Sequence, residues 1–410
     1  MASPRCITDY RRLRRSAAMT GVADGITAVA LPLLAAGLTG HPPTIAGVMA
    51  IQHLPWVVAE YAGEDLRAHG DRRTVVGLAN TLRALVAVLL GGLSLVNKES
   101  IPVIYLAALI LGVGEALTDE AEDESLDVLL DAAAASDARS TLRSRGMTGL
   151  ALVGLPLGGL LYNIAAAAPF MLSMVTYAVA GLLALGVHTA VHPRTDSRRP
   201  ARREQSHQLG VPHSARPVIV VASIAAGATS ACLSVFVLYA TDTLALDAPT
   251  FGMVLAGFAA GSYLGSRLAP WVGESLGIAT GIGASMATTG LGYGLTSLFA
   301  GQSAQRAIPF LVLSSTGAMC AGVLLRATFQ GTFIAAGRTV DTAALRSFHL
   351  ATWSAIVLGA LTGGILVETS GFPTLFLVMA GLAVAGGALA TTLRVSPSTS
   401  TAGAAGERAP

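Results

Sequence analysis

Long runs of apolar residues, separated by short polar segments, make up most of the chain. A run of about 20 apolar residues is long enough to cross the hydrocarbon core of a bilayer as an α-helix. Twelve such runs are predicted to be helices, at 16–38, 45–61, 75–95, 101–117, 146–162, 169–187, 218–239, 251–268, 278–299, 308–325, 350–368 and 374–393. The pattern therefore predicts an all-α, polytopic membrane protein with twelve transmembrane helices.

The composition agrees with this prediction. Of 410 residues, 53% are hydrophobic and only 12% are charged, and the mean hydropathy is +0.63. Soluble proteins carry about 25% charged residues, so this chain has too few charges to cover the surface of soluble domains, which argues against a cytosolic enzyme. The formal net charge of +2 gives no sign of a nucleic-acid or acidic-protein partner. We expect a monomer that is embedded in a lipid bilayer and binds a small-molecule substrate but no nucleic acid.

Basic residues are unevenly distributed among the segments that connect the helices. With the N-terminus inside, 23 of the 26 Lys and Arg residues lie in or next to segments on the cytoplasmic side, as the positive-inside rule requires. Both termini are therefore predicted to be cytoplasmic, in a multi-pass protein of the inner (plasma) membrane. The basic N-terminus leads directly into the first apolar run without a cleavage site, which indicates a retained helix and not a signal peptide.

One long polar segment divides the chain into two halves. Residues 193–217 are rich in Arg and Pro and are predicted to form a flexible cytoplasmic linker. The linker separates an N-terminal six-helix bundle (1–192) from a C-terminal six-helix bundle (218–394). The tail at 395–410 consists mainly of Ser, Thr, Ala and Gly and is predicted to be disordered.

The two halves also repeat a pattern of glycines. The fifth run contains GLPLGG and the eleventh contains GALTGG, at an offset of 205 residues, with glycines at Gly154, Gly158 and Gly159 and at Gly359, Gly363 and Gly364. Duplicated six-helix halves related by an axis along the membrane normal are a transporter architecture. The repeat therefore predicts two pseudo-symmetric six-helix bundles.

Several stretches resemble members of the major facilitator superfamily, most closely its drug and siderophore exporters. The most specific is VADGITAVALPLLA at 22–35, and shorter ones lie at 54–56, 80–84 and 112–115. The resemblance covers residues from about 8 to 394. It implies a secondary active transporter that exports a small amphiphilic or hydrophobic molecule, such as a drug, siderophore or natural product, by proton antiport. The resemblance also implies a role in antibiotic resistance. The proton gradient would drive transport, and no cofactor would be needed.

Two motifs depart from the pattern of this superfamily. The gating loop after the second helix keeps its arginine end, and the residues that match it are Gly63, Asp71, Arg72 and Arg73. The expected aspartate position holds Arg67 or Ala68. The antiporter-like motif of the fifth helix, Gly154, Pro156, Gly158 and Gly159, has Leu155 where proline is expected. The resemblance therefore leaves the details of the gating cycle open.

Two charged residues lie within predicted helices at matched depth. Asp24 and Arg83 each come eight residues after the cytoplasmic start of their helix, or about 12 Å deep. A charge at such depth costs roughly 3 kcal/mol, which pairing reduces. We predict that they form a pair that binds protons or substrate, although a static pair that orients the two helices is an alternative. Glu115 and His53 are candidates for the same proton-coupling group, or else an interface residue and a structural histidine.

Nine of the 24 acidic residues lie between 115 and 137. Asp119, Asp123, Asp127 and Asp131 recur at every fourth position and would form an acidic stripe on a helix. Repeated aspartates at this spacing can hold magnesium against a diphosphate, but a solvated surface helix is favoured. The cysteines Cys6, Cys232 and Cys320 form no C-x-x-C motif, so no metal site is predicted.

Aromatic residues within the helices are candidates for a cavity that binds an apolar ligand. They are Trp56, Tyr177, Tyr239, Tyr263, Tyr293 and Trp353, and packing or a place in the interfacial belt is the alternative for each. The sequence favours a transporter without catalytic residues. It leaves open a transporter fold that has become a membrane-embedded enzyme or enzyme subunit acting on a lipid or peptide, and a non-transporting receptor or immunity protein.

Overall fold

The structure, a computed structural model, describes residues 4–62, 71–129, 141, 144–187, 211, 213, 215–299, 304–335 and 342–393. In this part of the chain the regular structure is entirely helical, and it forms twelve helices. In chain order they are α1 (Pro4–Leu38), α2 (Pro42–Ala62), α3 (Arg72–Leu95), α4 (Ile101–Leu129), α5 (Ser144–Ile164), α6 (Ala168–Leu185), α7 (Arg216–Ser234, continued by Phe236–Leu238 and Tyr239–Thr243), α8 (Ala248–Leu276), α9 (Ile278–Phe299), α10 (Ala304–Ala335), α11 (342–370) and α12 (372–391). The predicted fold of twelve helices in two pseudo-symmetric bundles is confirmed.

The last two helices follow each other with almost no connecting segment. Thr342–Thr391 runs as one element that is interrupted at Gly371, where φ is 79°. Glycine adopts this left-handed conformation without the steric cost that other residues meet. Pro373, two residues later, cannot donate a backbone hydrogen bond into the preceding helix. Together the two residues end α11 and start α12 where the sequence predicts a break.

Several helices extend beyond their predicted apolar runs. The helix α1 begins at Pro4, about three turns before the predicted start at residue 16. Its added turns pack on the end of α6, because the Arg12 side chain donates a hydrogen bond to the carbonyl of Gly186. Ser16, the first residue of the predicted run, donates one to the carbonyl of Ala180 (2.9 Å). Hydropathy alone misses these turns, since they are polar on one side.

The repeated glycines bring helices into backbone contact in the same way in both bundles. A Cβ atom added at Gly25 of α1 would lie 2.8 Å from the Cα atom of Gly154 on α5. A Cβ atom added at Gly359 of α11 would lie 2.8 Å from the Cα atom of Gly227 on α7. The helices α5 and α11 thus each cross the first helix of their own bundle at a glycine, as the pseudo-symmetry requires.

The last glycine of each motif faces the opposite bundle. A Cβ atom added at Gly159 would lie 2.2 Å from the carbonyl oxygen of Ala248 on α8, and one at Gly364 would lie 2.8 Å from the Cα atom of Pro43 on α2. We call the side of the molecule where α1 begins the proximal face and the side where α1 ends the distal face. Both glycine contacts lie near the distal face, so the bundles are tightly packed there.

Candidate functional site

A pair of opposite charges lies inside the N-terminal bundle. The Arg83 guanidinium of α3 donates a hydrogen bond through Nη2 to the Oδ1 atom of Asp24 on α1. The Arg83 side chain is only 2% exposed, whereas that of Asp24 is 20% exposed. The structure thus brings together the two charges that the sequence places at equal depth. Proton binding by this pair stays a prediction.

A tyrosine of α6 completes this group. The hydroxyl of Tyr177 donates a hydrogen bond to the same Asp24 oxygen at 2.7 Å. The guanidinium carbon of Arg83 lies 4.4 Å from the centroid of the Tyr177 ring, within cation–π range. Thr27, one turn after Asp24, places its hydroxyl 3.4 Å from that of Tyr177. One carboxylate oxygen therefore receives hydrogen bonds from two helices, in a site with little contact with solvent.

The space for Arg83 is provided by α4. A Cβ atom added at Gly114 would lie 2.5 Å from Cδ of Arg83, so only glycine leaves room for the side chain. Glu115 follows, with its side chain hydrogen-bonded to Gln52 and within electrostatic range of Asp24 and Arg83. In the described part of the chain, the Nε and Nη1 atoms of Arg83 are buried without a hydrogen-bond partner. The guanidinium thus has donors to spare beside a second carboxylate.

This arrangement of charges can respond to the protonation of Asp24. Two carboxylates, Asp24 and Glu115, share one buried arginine that at present bonds to only one of them. A proton on Asp24 would remove the negative charge that Arg83 faces, and a buried unpaired cation costs several kcal/mol. Protonation would therefore favour a rearrangement of α1, α3 and α4 around the arginine.

The fourth predicted member of the group, His53, faces the other bundle. Its Nδ1 atom lies 2.9 Å from the carbonyl oxygen of Met49, and its ring lies 5.9 Å from that of Trp353 on α11. Trp56, one turn later, stacks on Trp353 with ring centroids 4.8 Å apart. Two of the predicted cavity aromatics therefore form a contact between α2 and α11 instead.

The C-terminal bundle contains a small cavity of about 120 Å³. Its walls are uncharged and combine aromatic rings with hydroxyl and thiol groups: Thr229, Cys232, Leu233, Phe236, Phe258, Ser262, Tyr293, Leu311, Ser314, Ser315 and Phe376. Tyr293 is thus the predicted aromatic that does line a cavity. Tyr239 packs against Phe372 and Phe376, and Tyr263 is 59% exposed and bonded to Arg267.

The other predicted residues have separate positions. In the gating loop, Arg73 pairs with Asp71 and donates to the carbonyl of Val187 at 2.9 Å, which ties α3 to the end of α6. Arg72 begins α3, and Gly63 lies outside the described residues. Of the acidic stripe, Asp119 is exposed, Asp123 and Asp127 belong to α4, and Asp131 lies outside the described residues. Within the described ranges, His, Cys, Asp and Glu side chains form no group of three or more arranged to hold a metal ion.

Sequence reasoning misses three features of the site. It treats Tyr177 as a cavity aromatic, although the tyrosine bonds Asp24, and it does not single out Gly114. It also does not bring together Glu60 and His349, whose Oε1 and Nδ1 atoms are 3.0 Å apart across the two bundles. The sequence does hold one signal for this pair: Glu60 follows His41 by 19 residues, and Glu368 follows His349 by the same number.

Solved structures with the same fold are transporters. A bacterial homologue of the iron transporter ferroportin in its inward-facing state has a TM-score of 0.73 at 16% identity, covering 94% of this chain and 98% of that one. A variant of the nucleoside transporter NupG has a TM-score of 0.71 at 13% identity, covering 94% and 100%. A bacterial homologue of the human lysosomal transporter Spinster, also inward-facing, has 0.70 at 11%, covering 95% of each chain. Identities this low show the fold alone.

A bacterial ferroportin homologue in the outward-facing state has a TM-score of 0.60 at 16% identity, covering 93% of this chain and 98% of that one. A search of curated proteins gave no match. A family model described as transmembrane secretion effector matches residues 3–409. The chain therefore belongs to the transmembrane secretion effector family of the major facilitator superfamily.

Proposed function

We propose that the protein is a proton-coupled exporter of a small amphiphilic or hydrophobic molecule. The observation that carries this proposal is the buried pair of Asp24 and Arg83, with Tyr177 on the same carboxylate oxygen. An ionisable residue inside a membrane bundle is costly and usually has a function in moving ions or substrates. The description of the family as secretion effectors favours export over import.

The proposed coupling uses Arg83 as the group that responds to protonation. With Asp24 ionised, the arginine is held between α1 and α3 by the ion pair. When Asp24 takes up a proton, the free Nε and Nη1 donors of Arg83 turn toward Glu115 on α4. This shift changes how three helices of the N-terminal bundle pack, and it favours rocking of one bundle against the other.

The proposed substrate site involves the uncharged cavity of the C-terminal bundle. Its volume of about 120 Å³ suits a single ring or a short branched group rather than a whole drug-sized molecule. Phe236, Phe258 and Phe376 offer apolar contact, while Thr229 and Tyr293 offer hydrogen bonds. We propose that this cavity takes the neutral, ring-sized part of an amphiphile and leaves the rest between the bundles.

The experiment measures proton release from acidified everted membrane vesicles when a substrate probe is added. Ethidium, Hoechst 33342 and tetraphenylphosphonium are the probes, and an acridine dye reports the internal pH. We expect at least one probe to cause alkalinisation with the parent protein and none to do so with Asp24→Asn. Asp247→Asn is the matched control, because Asp247 is an exposed N-cap residue of α8 and asparagine caps helices equally well.

Three outcomes would argue against the proposal or part of it. Full antiport by Asp24→Asn would show that the pair is only structural. Turnover of a lipid or peptide by the purified protein without any gradient would favour a membrane-embedded enzyme. If no probe is exchanged while a non-amphiphilic molecule is, the proposed substrate class is wrong.

A further inference from the structure

Two His–Glu pairs join the bundles at opposite ends of one helix contact. The helices α2 and α11 lie antiparallel. His41 immediately precedes α2, His349 lies about two turns into α11, and a glutamate follows each histidine 19 residues later. Near the proximal face, His349 Nδ1 lies 3.0 Å from Glu60 Oε1. Near the distal face, His41 Nε2 lies 3.7 Å from Glu368 Oε1. Each pair has one residue from each bundle, so both connect the two halves that must move apart.

The helices are in contact along the whole distance between the pairs. The Trp56 and Trp353 rings stack one turn inside the proximal pair. Close to the distal pair, a Cβ atom added at Gly364 would lie 2.8 Å from the Cβ atom of Ala46. The two pairs therefore mark the ends of a continuous seam, and opening either face along this seam has to separate one of them.

The two pairs differ in their exposure. The proximal side chains are 28% exposed for His349 and 19% for Glu60, whereas the distal ones are 53% exposed for His41 and 44% for Glu368. Salt and water screen exposed charges more effectively than partly buried ones. The proximal pair should therefore respond more strongly to its protonation state.

We propose that the pairs are two proton-binding sites, each of which holds its face of the seam closed when its histidine is protonated. A protonated histidine attracts the glutamate as an ion pair, whereas a neutral histidine offers only a hydrogen bond. The closed face consequently binds the proton more tightly than the open face does. By linkage, closure of a face should be favoured at low pH, where its histidine carries the proton, and weakened at high pH.

Other titratable groups lie on α2 and α11 themselves and on the helices and connecting segments around them. Near the proximal end they are His53, Glu115, Asp119, Arg216, Arg326 and Arg346, and near the distal end they are Lys98, Glu99, Tyr105, Asp242 and Asp247. His53 is the one histidine among them. A His53→Gln variant therefore measures its share of any pH effect.

The inference goes beyond the proposed function. It requires that the bundles separate at one face, as in other proteins of this fold. It does not require Asp24 to carry the transported proton, nor any particular substrate. A failure of proton antiport and a failure of this inference are therefore separate outcomes.

The test measures the width of each face by electron–electron double resonance in nanodiscs at pH 5.5 and pH 8.5. The three cysteines are replaced by serine, and nitroxides are attached at exposed positions. Tyr61→Cys with Ser347→Cys reports the proximal face, and Gly40→Cys with Ser370→Cys reports the distal face. We expect the ratio of open to closed distances at the proximal face to rise about threefold to fivefold at the higher pH, as one partly buried ion pair would give.

The variants assign the effect to the pair. His349→Gln and Glu60→Gln should each abolish the pH response of the proximal face and leave that of the distal face intact. The double exchange of Glu60→His with His349→Glu should restore it, which also shows that the variants fold. His213→Gln, at an exposed position near the start of α7, is the matched control and should behave as the parent. A pH response that persists in His349→Gln, or distances that do not depend on pH, would overturn the proposal.

Discussion

The distal contacts of Gly159 and Gly364 make a prediction about the balance between open states. An alanine at position 159 would place its Cβ atom 2.2 Å from the carbonyl oxygen of Ala248 and 3.1 Å from the Cα atom of Pro249. A carbon atom normally stays about 3.3 Å or more from a carbonyl oxygen, so α5 and α8 have to move apart by about 1 Å. An alanine at position 364 meets Pro43 and Ala46 at 2.8 Å.

The size of the effect follows from the cost of overpacking. Inserting a methyl group into a packed contact costs about 1–3 kcal/mol, and about 1.4 kcal/mol changes an equilibrium tenfold. The clash exists only when the distal face is closed, because opening that face separates α5 from α8 and α11 from α2. Each alanine should therefore raise the ratio of distal-open to distal-closed molecules by about fivefold to a hundredfold.

The assay is again electron–electron double resonance. The nitroxides are attached at Asn163→Cys on α5 and Thr250→Cys on α8, both at exposed positions. Gly159→Ala should shift the distance distribution toward longer values. Gly381→Ala is the matched control, because an added Cβ atom there meets no atom within 4 Å. An unchanged distribution in both Gly159→Ala and Gly364→Ala would refute the claim that these glycines permit distal closure.

Three further predictions concern the interior of the two bundles. Gly114→Val should displace Arg83, since even a Cβ atom lies 2.5 Å from its Cδ atom, and it should reduce probe export to the level of Arg83→Leu in the vesicle assay. Tyr177→Phe removes a hydrogen bond to a carboxylate and should lower the free energy of unfolding by about 1.5–3 kcal/mol in a denaturant titration. Tyr293→Phe should raise the probe concentration for half-maximal export severalfold, with little change in the rate at saturation; an unchanged concentration dependence would argue against the cavity as the substrate site.

Much of the fold follows from the sequence because lipid imposes simple constraints. Helix length, the distribution of arginines and the 205-residue glycine repeat suffice for twelve helices in two related bundles. The repeat even predicts that α5 and α11 are equivalent, and both cross a first helix at a glycine. The polar start of α1 is missed because its contact with Gly186 depends on where α6 ends.

The site is only partly predictable for a geometric reason. Depth along a helix can be counted, so Asp24 and Arg83 are recognised as neighbours in depth. Which way a side chain points around its helix depends on the packing of several helices, so the contact of Tyr177 with Asp24 is not evident from the sequence. The same holds for His349 and Glu60, which belong to different bundles and meet only when these pack together.

The most direct test of the account is the stoichiometric exchange of protons for a transported probe by the purified protein in liposomes. The proton gradient is applied in the direction that drives export in the predicted orientation. Under this gradient we expect export of the probe that is active in vesicles, accompanied by movement of protons in the opposite direction. Asp24→Asn should lose both movements and Asp247→Asn should keep both. Export that proceeds at the same rate without a proton gradient, or in Asp24→Asn, would contradict the central claim that the buried pair couples protons to transport.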